Sequence, residues 1–506
     1  MAVVGIIGGG IGGLAVAWNL VVEGQDSGTI PEIHIFEKND RFGGNANTKQ
    51  FDFGKGPGYE DAPLMRWADM GVNDFNTAAY QNIVKVMDQI GFTKENGSYR
   101  NLEDSTTYFN TKGHAVTSNT FKDANGADQL DPWWGTAMAP DLYASVTSFM
   151  EIGGKDAELP KFHDYTMEQY IQEQSPVHNW VPELGPEVIY PRVNGMYFTS
   201  GPLGPRSMPF AAVMHYYKIQ EGAGGIPADR NYFVGGADKW IDALVGYMAD
   251  NMPQITFHTG WDARITRDTA SGGYNVSDAS GKNGPLAVGS VVLATPADIA
   301  LRIFTDGLPA KAANIMSQIK YEVAVSVAHT DTRLMPVNRN AWSTYNIVIH
   351  EPGSVALKPY TIHYVANRHQ NDKASNQFNK FGAPEFFLSI NPHIPVSPDK
   401  VLKDAETGEP AVANLSHFVF DFDCMAAQHD IEGQQGAQGI YYASGWTHGS
   451  GLHTECWSQG EDVAAKLIAA LKTGVHEAKA PTQSQGELIT SRLARSSGSI
   501  FALCPC

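Results

Sequence analysis

Cysteine is scarce: the 506 residues hold four, Cys424, Cys456, Cys504 and Cys506. None has the paired spacing of a structural zinc site or of a disulfide framework, so neither is expected and a reducing compartment fits. Long apolar runs are also missing, and no stretch approaches the roughly 18 residues of a membrane span. Met1 passes within one residue into an apolar strand, with no basic stretch and cleavable apolar segment ahead of it, so no signal peptide is expected. These absences predict a cytoplasmic protein without a transmembrane segment. Positive charge is in deficit: 36 Lys plus Arg stand against 54 Asp plus Glu, a net charge of −18. Nucleic-acid phosphates would be repelled, and the acidic surplus reads as solubility. Hydrophobic residues at 42% and charged residues at 18% describe an ordinary folded chain, long enough for two intertwined domains and either monomeric or homodimeric.

What is present begins at residue 2. AVVGII suits a buried parallel strand, and GGLAVAWNLVVEG carries apolar residues at helical spacing. Between them lie Gly8, Gly10 and Gly13, with Ile11 and Gly12, in the spacing G-x-G-x-x-G. The first glycine permits the turn, the second lets a diphosphate approach, and the third lets helix and strand pack closely. The helix N-terminus then offers unpaired N–H groups to phosphate. EIHIFE reads as the second strand, ending in Glu37, which is either a ribose-binding acid or a solvated strand-end carboxylate; the strand–turn–helix–strand context favours ribose.

Directly after Glu37 comes EKNDRFGGNANT, which places Lys38, Arg41, Gly43, Gly44 and Asn45 beside the presumed nucleotide. A glycine pair here brings backbone against the diphosphate and ribityl chain of FAD. At this point the chain resembles the flavin-containing amine oxidase superfamily, whose element is G-G-R-x-x-T/S. Asn45 stands where Arg is usual, which is similar to a "predicted NAD/FAD-binding" branch with the form G-G-H-A-N-T. DMGVNDFN, with Gly71, Val72 and Asn73, resembles the segment that passes the flavin ring. QITFHTGWDARI, with Asp262 and Ala263, resembles the strand that meets the adenine. SVVLATPADIAL and HTDTRLMPVNRNAWSTYN match further pieces of that branch. The C-terminal stretch GIYYASGWTHGSGLHTECWSQGEDVAAKL resembles the segment that binds the diphosphate and lies beside the isoalloxazine, which implicates Gly445, Trp446, His453 and Thr454. Thr454, Cys456 and Trp457 depart from the branch pattern. By its own residues the stretch reads as strand, glycine turn and helix, whose first N–H groups could face an electron-rich group.

The resemblance implies an α/β fold: a Rossmann-like FAD-binding domain of the amine-oxidase type with an inserted α+β substrate domain. FAD-binding segments are expected at 1–61, 232–299 and 419–475, substrate-domain segments at 62–231 and 300–418, and a linker and loose tail at 476–506. The terminal Cys-Pro-Cys, without upstream basic residues, is read as an unstructured end and not as a prenylation signal.

Hydride transfer to a flavin asks little of the protein beyond placing a C–H over N5 and controlling water and protons. His453 follows the flavin-side turn and is either an acid/base or a residue that bonds the FAD or packs; Glu455 could orient it or serve as a dipole partner of its helix. Cys456 is taken as a small residue filling the turn. Lys320 is a candidate because many amine oxidases present a lysine through water to N5 from this part of the chain. Arg192, Arg206 and Arg368 are either surface or interdomain residues, the favoured reading, or ligands of a substrate carboxylate, and His329 and Asp331 match the branch motif in what could be a structural capacity. No metal is expected. The apolar and aromatic first insertion favours a hydrophobic substrate. Relatives of this branch that desaturate or isomerise C=C bonds imply hydride abstraction from an activated or allylic C–H, as in an unsaturated fatty acid. An amine or amino-acid oxidase releasing imine and hydrogen peroxide is the alternative.

Overall fold

The computed structural model describes residues 2–56, 60–118, 121–122, 128–129, 139–197, 204–225, 228–350, 361–371 and 384–473. The expected tail and its terminal cysteines lie outside them. The apolar run Val3–Ile7 is the middle strand of a five-stranded sheet. Across the sheet the strands are Ile255–His258, Glu32–Phe36, Val3–Ile7, Ser290–Leu293 and Ile440–Tyr442, and every neighbouring pair is parallel. A parallel sheet is covered on both faces, which is why these strands read as unbroken apolar runs. The helix Ile11–Ser27 packs along His453–Lys472, close enough that a Cβ on Gly460 would come within 2.5 Å of Ala15. The strands come from three distant stretches of chain, all inside the segments expected to bind FAD.

Over this sheet stands a seven-stranded one, ordered Val412–Phe418, Tyr321–His329, Phe387–Ile390, Ile362–Val365, Tyr345–Ile349, Thr106–Asn110 and Ala115–Ser118. Only the Tyr345–Ile349 and Thr106–Asn110 pair runs parallel. Alternation sorts its residues by face. Tyr345, Tyr364 and Leu388 are aligned on one face, and Thr107, Asn346, His363 and Ser389 on the other. The first insertion contributes helices Ala139–Asp156, Met167–His178, Tyr190–Tyr197 and Phe210–Glu221, whose core includes Phe149, Tyr170, Trp180 and Phe210. The Met167–His178 helix starts on a reciprocal cap: Thr166 Oγ1 accepts the Gln169 N–H, and Gln169 Oε1 accepts the Thr166 N–H.

A three-stranded antiparallel sheet of Asp74–Asn76, Arg230–Phe233 and Tyr99–Asn101 joins the two halves and sets Asp74 beside Arg230. Among the described residues no helix is long and apolar enough to cross a membrane, and no cluster of side chains could hold a metal ion.

Candidate active site

A cavity of about 900 Å³ runs from the glycine turn to the seven-stranded sheet. At the turn, the Ile11–Ser27 helix has Gly10 as its N-cap, no capping side chain and no acid in its first turn. Its first N–H groups are left for an incoming anion. A Cβ on Gly10 would meet nothing within 4 Å, although Gly10 lines the cavity, whereas a Cβ on Gly13 would lie 2.1 Å from the Gly8 carbonyl oxygen. The second glycine thus keeps ligand space open, and the third permits helix and strand to touch. This cradle fits the diphosphate of FAD.

Glu37 is buried and lines the cavity. Its Oε2 accepts the Gly9 N–H at 2.8 Å, and its Oε1 accepts the Asn39 N–H at 2.8 Å and Nδ2 at 2.7 Å. Three of roughly four acceptor positions are used, leaving one for a ribose hydroxyl. Arg41 also lines the cavity but spends its guanidinium on the carbonyls of Phe42, Gly44 and Ala46, so it shapes the Gly43–Asn45 turn. Asn45 is exposed at the cavity wall, and its carbonyl accepts the Val72 N–H at 3.3 Å. Gly8, Ile11, Gly12, Lys38, Gly43, Gly44, Gly71, Val72, Asn73, Asp262, Ala263, Gly445, Trp446 and His453 line the same space. Asp262 is paired with Arg264 at 2.9 Å.

Several expectations are corrected. Thr454 is not on the cavity: its Oγ1 donates to Asn82 Oδ1 at 2.7 Å, tying two helices. Glu455 is 4% exposed, off the cavity, and already caps its own helix, accepting the N–H groups of Ser450 at 2.9 Å and Leu452 at 3.0 Å. The carboxylate pairs with His215 and not with His453. Lys320 lies outside the cavity, one residue before the strand Tyr321–His329, with a 59% exposed side chain held by Asp421 and Asp423 at 2.7 Å each. Arg368 pairs with Glu103 at 3.1 Å, Arg206 with Glu168 at 3.6 Å, and Arg192 with Glu221; none lines the cavity.

His453 does line it, and burial pushes its imidazole down to about 4, so the ring is uncharged at neutral pH. Cys456 donates to the Gly451 carbonyl at 3.4 Å, and burial pushes its thiol up to about 12, which makes it an inert filler.

Sequence reasoning missed the polar end. The Arg230 and Asp74 side chains, 4% and 6% exposed, pair at 2.9 Å. Arg230 Nη2 donates to the Tyr345 hydroxyl at 2.7 Å, and that hydroxyl donates to Asp74 at 2.9 Å. Gln220 Nε2 donates to Asp74, and Tyr80 donates to Gln220 Oε1 at 3.0 Å. Tyr216 and Tyr364 line the same cavity, as do Ile390, Leu415 and Phe418. The available signals were a charged residue inside each of two short strands and the i, i+4 spacing of Tyr216 and Gln220 on one helix.

A family model described as flavin containing amine oxidoreductase matches residues 11–341. No curated protein sequence matches the chain. Among solved structures, a CLA-producing fatty acid isomerase from P. acnes superposes with a TM-score of 0.58 at 15% identity, covering 92% of this chain and 98% of that one. Cyclohexylamine oxidase from Brevibacterium oxydans IH-35A gives 0.56 at 15% identity over 93% and 99% of the two chains. Putrescine oxidase bound to putrescine gives 0.55 at 14% identity over 92% and 99%. At such identities the likeness is one of fold.

Proposed function

The chain belongs to the flavin containing amine oxidoreductase family and is an FAD-dependent oxidoreductase or isomerase; we propose that it moves a hydride between flavin N5 and an activated or allylic C–H of a hydrophobic, unsaturated substrate such as a fatty acid. When bound, FAD supplies the site that accepts and returns the hydride. The uncapped helix at Gly10 and the free lone pair of Glu37 hold diphosphate and ribose, and Arg41 stiffens the turn against which the cofactor lies.

The observation that carries the substrate class is the wall around the buried end. Ile390, Leu415, Phe418 and Trp446 add apolar side chains to the wall that also carries Asp74, Arg230 and the tyrosines. Of the three carboxylates lining the cavity, Glu37 and Asp262 belong to the FAD-binding segments, and Asp74 is spent on Arg230. An amine substrate finds no free carboxylate there among the described residues. The only lysine on the wall is Lys38, next to Glu37. His453 offers a neutral ring nitrogen, which can take the proton that a desaturation releases. An isomerisation, which returns the hydride at another carbon, needs no such base.

Anaerobic stopped-flow with linoleate tests the reading by following flavin absorbance and product conjugation together. Bleaching of the flavin, or new conjugation with the flavin returning to its oxidised form, is expected. Silence with linoleate and bleaching by amines would replace it with the amine oxidase alternative.

A further inference from the structure

We propose that the buried end of the cavity receives a neutral oxygen group of the substrate, an alcohol, carbonyl or amide, with Tyr364 as its donor, and rejects both a free carboxylate and an ammonium. This rests on the hydrophobic-substrate reading and narrows it: a free fatty acid such as linoleate would still react but bind more weakly than the corresponding amide or alcohol.

The argument is a count of what each polar atom at that end is already doing. Arg230 has Nη1 on Asp104 at 3.1 Å and Nη2 on Asp74 and Tyr345, so no pair of its nitrogens is left for a bidentate grip on a carboxylate, and its buried, unpartnered Nε offers a single N–H. Asp74 is ionised: burial alone would raise it, but the Arg230 charge, His369 and the Tyr345 hydroxyl hold it well below the usual carboxylate range. A second carboxylate would have to approach that charge in a water-poor pocket, where repulsion is strong. An ammonium would have to displace Arg230, Gln220 or Tyr345 from Asp74 while facing a guanidinium. The ion pair therefore cancels itself and excludes either sign.

Beyond that one N–H, hydrogen-bonding capacity remains on the tyrosines. Tyr345 donates to Asp74 and accepts from Arg230, and Tyr80 donates to Gln220. Tyr364 accepts from the Asn73 side chain, and burial raises its hydroxyl to about 12, so its own O–H stays protonated and is the donor it can offer. Tyr364 and Asn73 both line the cavity. Its ring is fixed by Tyr345, with centroids 5.2 Å apart, so the donor is held in place before a ligand arrives.

The test titrates the FAD-loaded enzyme with oleyl alcohol, oleamide, oleate and oleylamine, which share a chain and differ in head group, and reads the flavin difference spectrum. The alcohol and amide are expected to bind at least about tenfold more tightly than the acid and the amine. Tyr364→Phe should weaken the two neutral probes about tenfold and leave oleate unchanged. Asp74→Asn, if it folds, should uncover Arg230 and shift preference toward oleate; the wild-type series decides the matter without it. Tighter binding of oleate or oleylamine to the wild type, or neutral binding insensitive to Tyr364→Phe, overturns this inference alone. Silence for all four probes overturns the hydrophobic-substrate reading beneath it.

Discussion

His329 and His363 meet at one hydroxyl: Nε2 of the first and Nδ1 of the second each lie 2.6 Å from Oγ of Ser389. The Asp331 N–H donates to His329 Nδ1 at 3.0 Å, so the His329 proton sits on Nε2 and points at Ser389. Ser389 must then donate to His363, and His363 Nε2 to His393 Nδ1 at 3.0 Å. This chain lies on the face of the seven-stranded sheet turned away from Tyr345 and Tyr364, and it has one consistent proton arrangement, with all three rings neutral.

Acid should therefore unfold the protein early. Burial pushes His329 and His393 down to about 4 and His363 well below its ordinary value. Their folded values are depressed, so the unfolded chain binds more protons. The stability they contribute is full above about pH 6.5 and falls as pH drops toward 4, by up to about 1.4 kcal/mol per pH unit for each ring. Urea midpoints between pH 7.5 and 5 check this; a flat profile would contradict it.

Gly10→Ala and Gly13→Ala should separate binding from folding. The new methyl at residue 10 enters open cavity space, so the protein is expected to keep its melting temperature and lose yellow colour. At residue 13 it strikes the Gly8 carbonyl, and the melting temperature should fall. Thermal melts and the flavin-to-protein absorbance ratio read the two effects.

Glu455→Gln removes a buried charge that two backbone N–H groups and His215 share. A loss of about 1–3 kcal/mol is expected, with a changed flavin spectrum, because the turn at 449–453 loses its brace. An unaltered urea midpoint and spectrum would show that the turn stands without it.

Lys320→Met should leave anaerobic flavin reduction unchanged. The side chain faces solvent and two aspartates, and such exposed pairs contribute about 1 kcal/mol or less to stability. A large drop in the reduction rate would place the lysine at the cavity after all.

The cofactor half was legible because its chemistry is local. A diphosphate cradle is built within six residues, from Gly8 to Gly13, and its glycines have no substitute. Glu37 could be placed from the strand that carries it. The substrate end was not legible, since Asp74, Arg230, Tyr345 and Tyr364 come together only through pairing between strands far apart in the chain. Lys320 failed for a related reason: it stands one residue before the strand Tyr321–His329, whose first residue lines the cavity while the lysine reaches solvent. Glu455 and Thr454 sat in a matching motif, yet the motif could not tell a side chain that faces the ligand from one that holds the loop.

The parallel sheet has a consequence for how the protein is made. Its outer strand, Ile440–Tyr442, leaves the ribosome long after the glycine turn, and the Ala443 carbonyl that follows it is what Gly12 presses against. The turn at Gly8–Gly13 has no floor until that distant strand has emerged. Cofactor capture is thus a check on completeness: a chain cut short before residue 443 carries the binding motif and cannot close it.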